Sequence, residues 1–299
     1  MFGRLRVCLP PLPEQTQIAR FLDHETARID ALIEEQQRLI TLLKEKRQAL
    51  ISHAVTKGID PTVPMKDSGV EWLGEVPGHW EIRRLSRAFM LHRGYDLTRD
   101  DWQDGPYPVV TSGGVAGYQS LCMVNGPGIV IGRYGSTGTV FYVEDDFWPH
   151  NTSLYVSEAY GNNFRYGYYL MQNVSVEEHT GKSAVPGVDR NDLHQTLVPV
   201  PPHSEQRAIA HFLDKENGRL DELSEEVNQA ITLLKERRAA LISAAVTGKI
   251  DVRDWQPPAD QLSANQPPAD QPAATHQPAA SAAPSDAHEN QHPQESPHG

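Results

Sequence analysis

The chain has 299 residues, 38% of them hydrophobic, and a net charge of −12. That length supports one or two ordinary cores, and no run of about 18 apolar residues reads as a membrane span. Cys8 and Cys122 are too few and too far apart for a zinc site or a disulfide framework.

The first 13 residues form a short lead-in without the long apolar run of a signal peptide, which points to a cytoplasmic protein. A repeat follows. Residues 14–60 align without a gap to 204–251 from Glu205 onward, at an offset of 191, with 29 of 47 pairs identical. Ile40-Thr41-Leu42-Leu43-Lys44-Glu45 recurs as Ile231-Thr232-Leu233-Leu234-Lys235-Glu236. In the first copy Leu22, Ile29, Gln36, Leu43 and Leu50 fall every seven residues. In the second, Leu213, Leu220, Val227, Leu234 and Leu241 do so. This is the coiled-coil period, and Leu32 with Leu39, and Leu223 with Ala230, are the expected second column. Pro13 and Ser204 suit helix starts, and Gly58 and Gly248 suit helix ends. About 42 residues at about 1.5 Å each make a rod of roughly 60 Å. The two helices are expected to pair antiparallel, although pairing with another chain, or a plain structural hairpin, satisfies the same pattern.

Residues 61–203 change character. Tyr107–Thr111, Gly128–Gly132, Thr139–Val143 and Ser153–Val156 are β-prone runs, and Gly113-Gly114, Gly126-Pro127 and Gly135-Ser136 are turn signals. Phe164–Gln172 reads as a short helix. The fold class is therefore α+β, a β-rich domain flanked by two long helices. Residues 256–299, rich in Pro, Ala and Gln, bury too little apolar surface to order and are expected to form a disordered tail. The tail holds five acidic residues and no Lys or Arg, yet the remainder is still acidic. Any surface for a polyanion must then be a local cluster.

Chemical motifs are sparse. Gly181-Lys182-Ser183 resembles the end of a phosphate loop, but the Gly required five residues earlier is Val176. Arg83, Arg84 and Arg87 read as a helical basic face. Glu144-Asp145-Asp146 reads as a solvated turn. His150-Asn151 is a candidate general-base region with no evident nucleophile. The Gly-rich loops carry more. Ser112, Gly113, Arg133, Tyr134, Ser136, Lys182, Ser183 and Arg190 place backbone N–H groups, short polar side chains and cations where DNA phosphates and base edges could be met.

Three stretches, taken in order, resemble the specificity subunit of type I restriction–modification systems. They are Met65–Glu81 (MKDSGVEWLGEVPGHWE), Gly135–Gly138 through Phe147–Thr152, and Asp192–Pro202 running through Glu205-Gln206 into the second helix. The resemblance covers about Leu9 to Asp251. It implies a non-catalytic DNA-binding subunit of a phage-defence complex, in which a target recognition domain reads one half of a split double-stranded target. It also implies methyltransferase subunits and a restriction/translocase subunit as partners. S-adenosylmethionine, ATP and Mg2+ would sit on those partners, with no cofactor on this chain. The order of elements matches the second half of such a subunit, with Leu9-Pro10-Pro11-Leu12-Pro13 as the exit from a preceding domain. A second copy of the chain is therefore a further candidate partner. A coiled-coil scaffold that does not bind DNA and an inactive truncated remnant are the alternatives.

Overall fold

The computed structural model describes residues 9–98, 101–174 and 187–258. Helix α1 (Leu12–Lys57) leads into strands β1 (Met65–Asp67), β2 (Glu75–Pro77) and β3 (Glu81–Arg84). A single helical turn, α2 (Leu85–Ala88), precedes β4 (Met90–Arg93), β5 (Tyr107–Thr111), β6 (Gly114–Gln119) and β7 (Gly128–Gly132). Then come β8 (Val140–Val143), β9 (Trp148–Pro149), β10 (Ser153–Glu158) and α3 (Phe164–Asn173). The chain closes with α4 (Arg190–Gln195), β11 (Leu197–Val200) and α5 (His203–Val246). Of the expected tail, 256–299, residues 259–299 lie outside the described residues.

α1 and α5 pair antiparallel. Arg47 meets Asp221, and the guanidinium of Arg238 forks onto Asp30 at 2.8 and 3.1 Å. The 191-residue offset carries Asp30 onto Asp221 and Arg47 onto Arg238. The two ion pairs are therefore twins, related by a local two-fold axis across the rod. As exposed pairs they contribute at most about 1 kcal/mol each, so they set register more than stability.

The buried seam alternates steps of three and four residues, as a coiled coil requires. Its first column is the expected one: Ile29, Leu213, Leu220 and Val227 are buried, and Leu22, Leu43, Leu50, Leu234 and Leu241 are half-buried. The second column differs from expectation. Leu32, Leu39 and Leu223 point to solvent, at 52%, 39% and 46% exposure. Thr26, Ile33, Ile40, Arg47 and Ala54 take that place on α1, and Asn217, Ser224, Ile231, Arg238 and Ala245 take it on α5. A four-residue step from the first column brings these side chains to the facing helix, whereas Leu32 and Leu39 stand one position to the side.

The near end of the rod is fused into the domain. Ile51, Ala54 and Val55 of α1 and Ile209, Ala210 and Leu213 of α5 share one core with Trp80, Phe89, Ile129, Leu154 and Tyr166. Gln206, 1% exposed, donates to Pro201 O and Asn162 Oδ1 and accepts from Asn163 N–H, each at 2.8 Å. Arg165 of α3 bonds Asp214 at 2.7 Å beneath a cage of Tyr142, Tyr168 and Tyr169. Burial, with the Asp214 carboxylate beside it, pushes the Tyr169 hydroxyl up to about 12.

The far end is closed by an unforeseen hook. After Gly248 the chain turns back and seats Trp255 edge-on to Phe21, centroids 5.3 Å apart, over Val252 and Ala245.

Two larger sheets and two two-stranded pairs, β1-β2 and β11-β3, build the domain. One larger sheet is antiparallel, in the order β4-β10-β7-β8. The other runs β6-β5-β9, with β5 and β9 parallel. β11 pairs with β3, so Arg83 and Arg84 lie on a strand rather than on the expected helix, and only Arg87 is helical. The Pro-Val-Pro run that enters α5 cannot continue a helix and supplies β3 with an edge partner instead. Among the described residues, no helix is long and apolar enough to cross a membrane.

Candidate nucleic-acid interface

Antiparallel pairing puts the end of β4, the end of β7 and the starts of β8 and β10 at one edge of the larger sheet. Each hands over there to a short polar loop. The β5–β6 turn of the second sheet joins them. Thr152 ties the group together: its carbonyl accepts from the N–H groups of Arg133 and Tyr134 at 3.0 and 3.2 Å, and its hydroxyl accepts from Ser112 N–H at 3.4 Å. The Thr139 hydroxyl lies 2.8 Å from Ser112 O and 2.7 Å from Ser136 O. Gly135 and Gly138 take φ of +76° and +80°, which a side chain there would resist. A Cβ at Gly132 would fall 2.1 Å from Ser136 O, so the loop closes only on glycine.

Five expected residues are thus brought together: Ser112, Gly113, Arg133, Tyr134 and Ser136. Arg133 stacks on the Tyr134 ring at 4.5 Å. Tyr134 is backed by Gly187, and Val188 N–H donates to Arg133 O at 3.0 Å. Arg190, two residues beyond, opens α4 behind the Asp189 cap. Lys182 and Ser183 lie outside the described residues.

Sequence reasoning missed Arg93, Asp96 and Thr152. Asp96 accepts from Arg93 at 3.0 Å and also from Asn151. His150 Nδ1 lies 3.1 Å from the Thr152 hydroxyl, so the His150–Asn151 pair serves loop geometry. Beneath the loops, the hydroxyls of Tyr95 and Tyr155 meet at 3.0 Å, and burial raises the Tyr155 pKa. Among the described residues, no cluster of three or more His, Cys, Asp or Glu offers a metal site.

Glycine at 187 is a testable element of this geometry. A Cβ there would stand 2.3 Å from Tyr134 Cε1. Gly187→Ala is expected to push Tyr134 and the stacked Arg133 out of place. If this face meets DNA, its affinity should fall about tenfold with the melting temperature little changed, because the displaced ring is half-buried at the loop and not part of the core. A binding titration paired with a thermal melt checks this.

Residues 77–233 match the family described as Type I restriction modification DNA specificity domain. The chain is 25% identical over 266 residues to a Methanocaldococcus jannaschii protein assigned as the type I restriction enzyme MjaX specificity subunit, covering 83% of this chain and 60% of that one. It is 31% identical over 94 residues to the Escherichia coli type I restriction enzyme EcoBI specificity subunit, covering 31% of this chain and 20% of that one. The fold is similar to a chain from a structure of type I R-M system assembly and conformational transition, with TM-score 0.65 and 15% identity over 80% of this chain and 60% of that one. It is also similar to the HsdS subunit of Thermoanaerobacter tengcongensis, with TM-score 0.50 and 16% identity over 82% and 61%. The chain thus spans about 60% of the length of the first of these relatives and of both structures. With a specificity-domain match over more than half its length, this chain belongs to the type I restriction–modification DNA specificity family.

Proposed function

We propose that this chain is the non-catalytic DNA-reading subunit of a type I restriction–modification complex, and that its domain reads one half of a split double-stranded target. The observation that carries this is the loop cluster at the sheet edge. It gathers an arginine, a tyrosine and small hydroxyls on one face of the domain. Arginine is the side chain suited to guanine edges, and hydroxyls and N–H groups suit phosphates.

The rod is the assembly platform. Leu32, Leu39 and Leu42 on α1, and Leu223 and Leu233 on α5, form outward apolar stripes that the pairing leaves uncovered. Methyltransferase subunits dock on these stripes and bring S-adenosylmethionine. A restriction/translocase subunit brings ATP and Mg2+. The second half-target is read by another recognition domain, for which a second copy of this chain is the simplest source.

Co-expression with a methyltransferase subunit, followed by sequencing for methylated adenine, tests the reading. A discrete motif is expected, and a palindromic one would identify two copies as the reader. Arg133→Ala should weaken target binding about 10- to 100-fold, the range of a lost bidentate base contact. A complex that forms but methylates no motif would indicate an inactive remnant. Failure to form any complex would favour a scaffold that does not bind DNA.

A further inference from the structure

We infer that the β5–β6 hairpin is the element that enters the major groove, with Val115 and Tyr118 reading thymine methyl groups. This rests on the DNA-reading function proposed above and names the side chains that would carry it out.

The first observation is electrostatic. The whole chain carries −12, yet between Asp104 and Glu144 its only charged residue is Arg133. The hairpin therefore carries no charged side chain of its own, with Arg133 near its tip and the segment that holds Asp101 and Asp104 beside the far end of β6. The second is placement. The hairpin tip is fastened into the loop cluster through Ser112, whose N–H meets the Thr152 hydroxyl and whose carbonyl meets the Thr139 hydroxyl. β6 thus runs back from the candidate interface itself.

The third observation is what β6 displays. β5 buries Val109 and Val110 completely, while Val115 and Tyr118 on β6 are 57% and 56% exposed. β6 is the outer strand of its sheet, with β5 backed by β9 on the other side, and apolar side chains exposed on it suit the major groove, which presents the thymine methyl as its apolar feature. The bulge sets Tyr118 opposite Pro108 and Val115 opposite Val110, on one face and about 7 Å apart along the strand, roughly the rise of two base pairs.

Strand addition by a protein partner suits this edge poorly. The Trp102 indole donates to Tyr118 O at 2.7 Å, Gln103 O accepts from Ser120 N–H at 2.9 Å, and a register shift at Val109/Val110 bulges the strand. An edge so blunted offers side chains rather than backbone.

The test uses the full chain assembled with a methyltransferase subunit. The probe is a duplex bearing the motif that the wild-type complex methylates, and the same duplex with thymine replaced by uracil, which removes only the methyl group. Wild type is expected to bind the thymine duplex about five- to tenfold more tightly, within the cost of one altered base pair. The Val115→Ser/Tyr118→Ala variant should lose that difference, keep wild-type affinity for unrelated DNA and keep its melting temperature, since both side chains are exposed. A wild-type complex indifferent to methyl removal overturns the inference while leaving the DNA-reading function intact. So does a variant that still discriminates, and so does one that loses the methyltransferase subunit instead, which would mark a protein dock. A wild-type complex without any motif removes the reading beneath the inference, and the inference with it.

Discussion

Trp80→Ala is expected to lower the unfolding free energy by about 3–5 kcal/mol, the cost of deleting a fully buried aromatic side chain. Trp80 is 1% exposed and closes the junction of the three parts of the fold. Its indole donates to Glu205 Oε2 at 2.9 Å, and His79 holds the other carboxylate oxygen at 2.6 Å, so the domain grips the first turn of α5. Its carbonyl accepts from Lys66 at 2.6 Å. Its ring abuts the C-cap of α1, where a Cβ at Gly58 would meet Cζ2 at 3.3 Å. Trp80→Phe keeps most of the volume and loses only the Glu205 contact. Because Glu205 is partly solvated, that variant should cost much less. Denaturant unfolding measures both. A loss below about 1 kcal/mol for the alanine variant would mean that the junction repacks without the ring.

Leu213→Ala should cost about 2–5 kcal/mol, whereas Leu223→Ala should stay within about 0.5 kcal/mol. Both are leucines on one helix, ten residues apart, and both read from the sequence as seam positions. Leu213 is fully buried where the rod enters the domain core, and Leu223 is 46% exposed. Equal costs for the two would contradict the seam. On the assembly role proposed above, the same pair separates stability from assembly, since Leu223→Ala should weaken methyltransferase docking where Leu213→Ala acts on the fold.

That contrast explains how far the sequence was legible. The seven-residue column was visible because nine of its ten positions in the two copies are apolar, Gln36 being the exception. The second column was not, because it contains Thr26, Arg47, Asn217, Ser224 and Arg238. An arginine can cover a seam with its aliphatic stem while its head reaches a carboxylate, so polarity hides the position from a hydrophobic count. The leucines chosen in its place belong to a second, outward stripe. The strands were legible from β-branched runs between glycines. The parallel pairing of β5 with β9 and the β3–β11 pair were not, because they join segments far apart in sequence. At the candidate interface, glycine spacing and side-chain type picked out Ser112, Arg133 and Ser136. Thr152 and Asp96 escaped notice because their importance lies in which loops they touch, and only the folded chain brings those loops together. The hook after Gly248 left one sequence sign, Trp255, which reads as an isolated aromatic until Phe21 is placed opposite it.

The shared core at the near end of the rod has a mechanical consequence. With Ile51, Val55, Ile209 and Leu213 packed among the strands and α3, the domain has no swivel on which to turn independently of the helices. The rod is then a lever arm welded to the candidate interface. Over a length of roughly 60 Å, a tilt of about 5° at the domain carries the Trp255 tip through about 5 Å. A small adjustment of the domain against its ligand therefore arrives at the far end as a displacement of about one helical turn, large enough to change what can seat there.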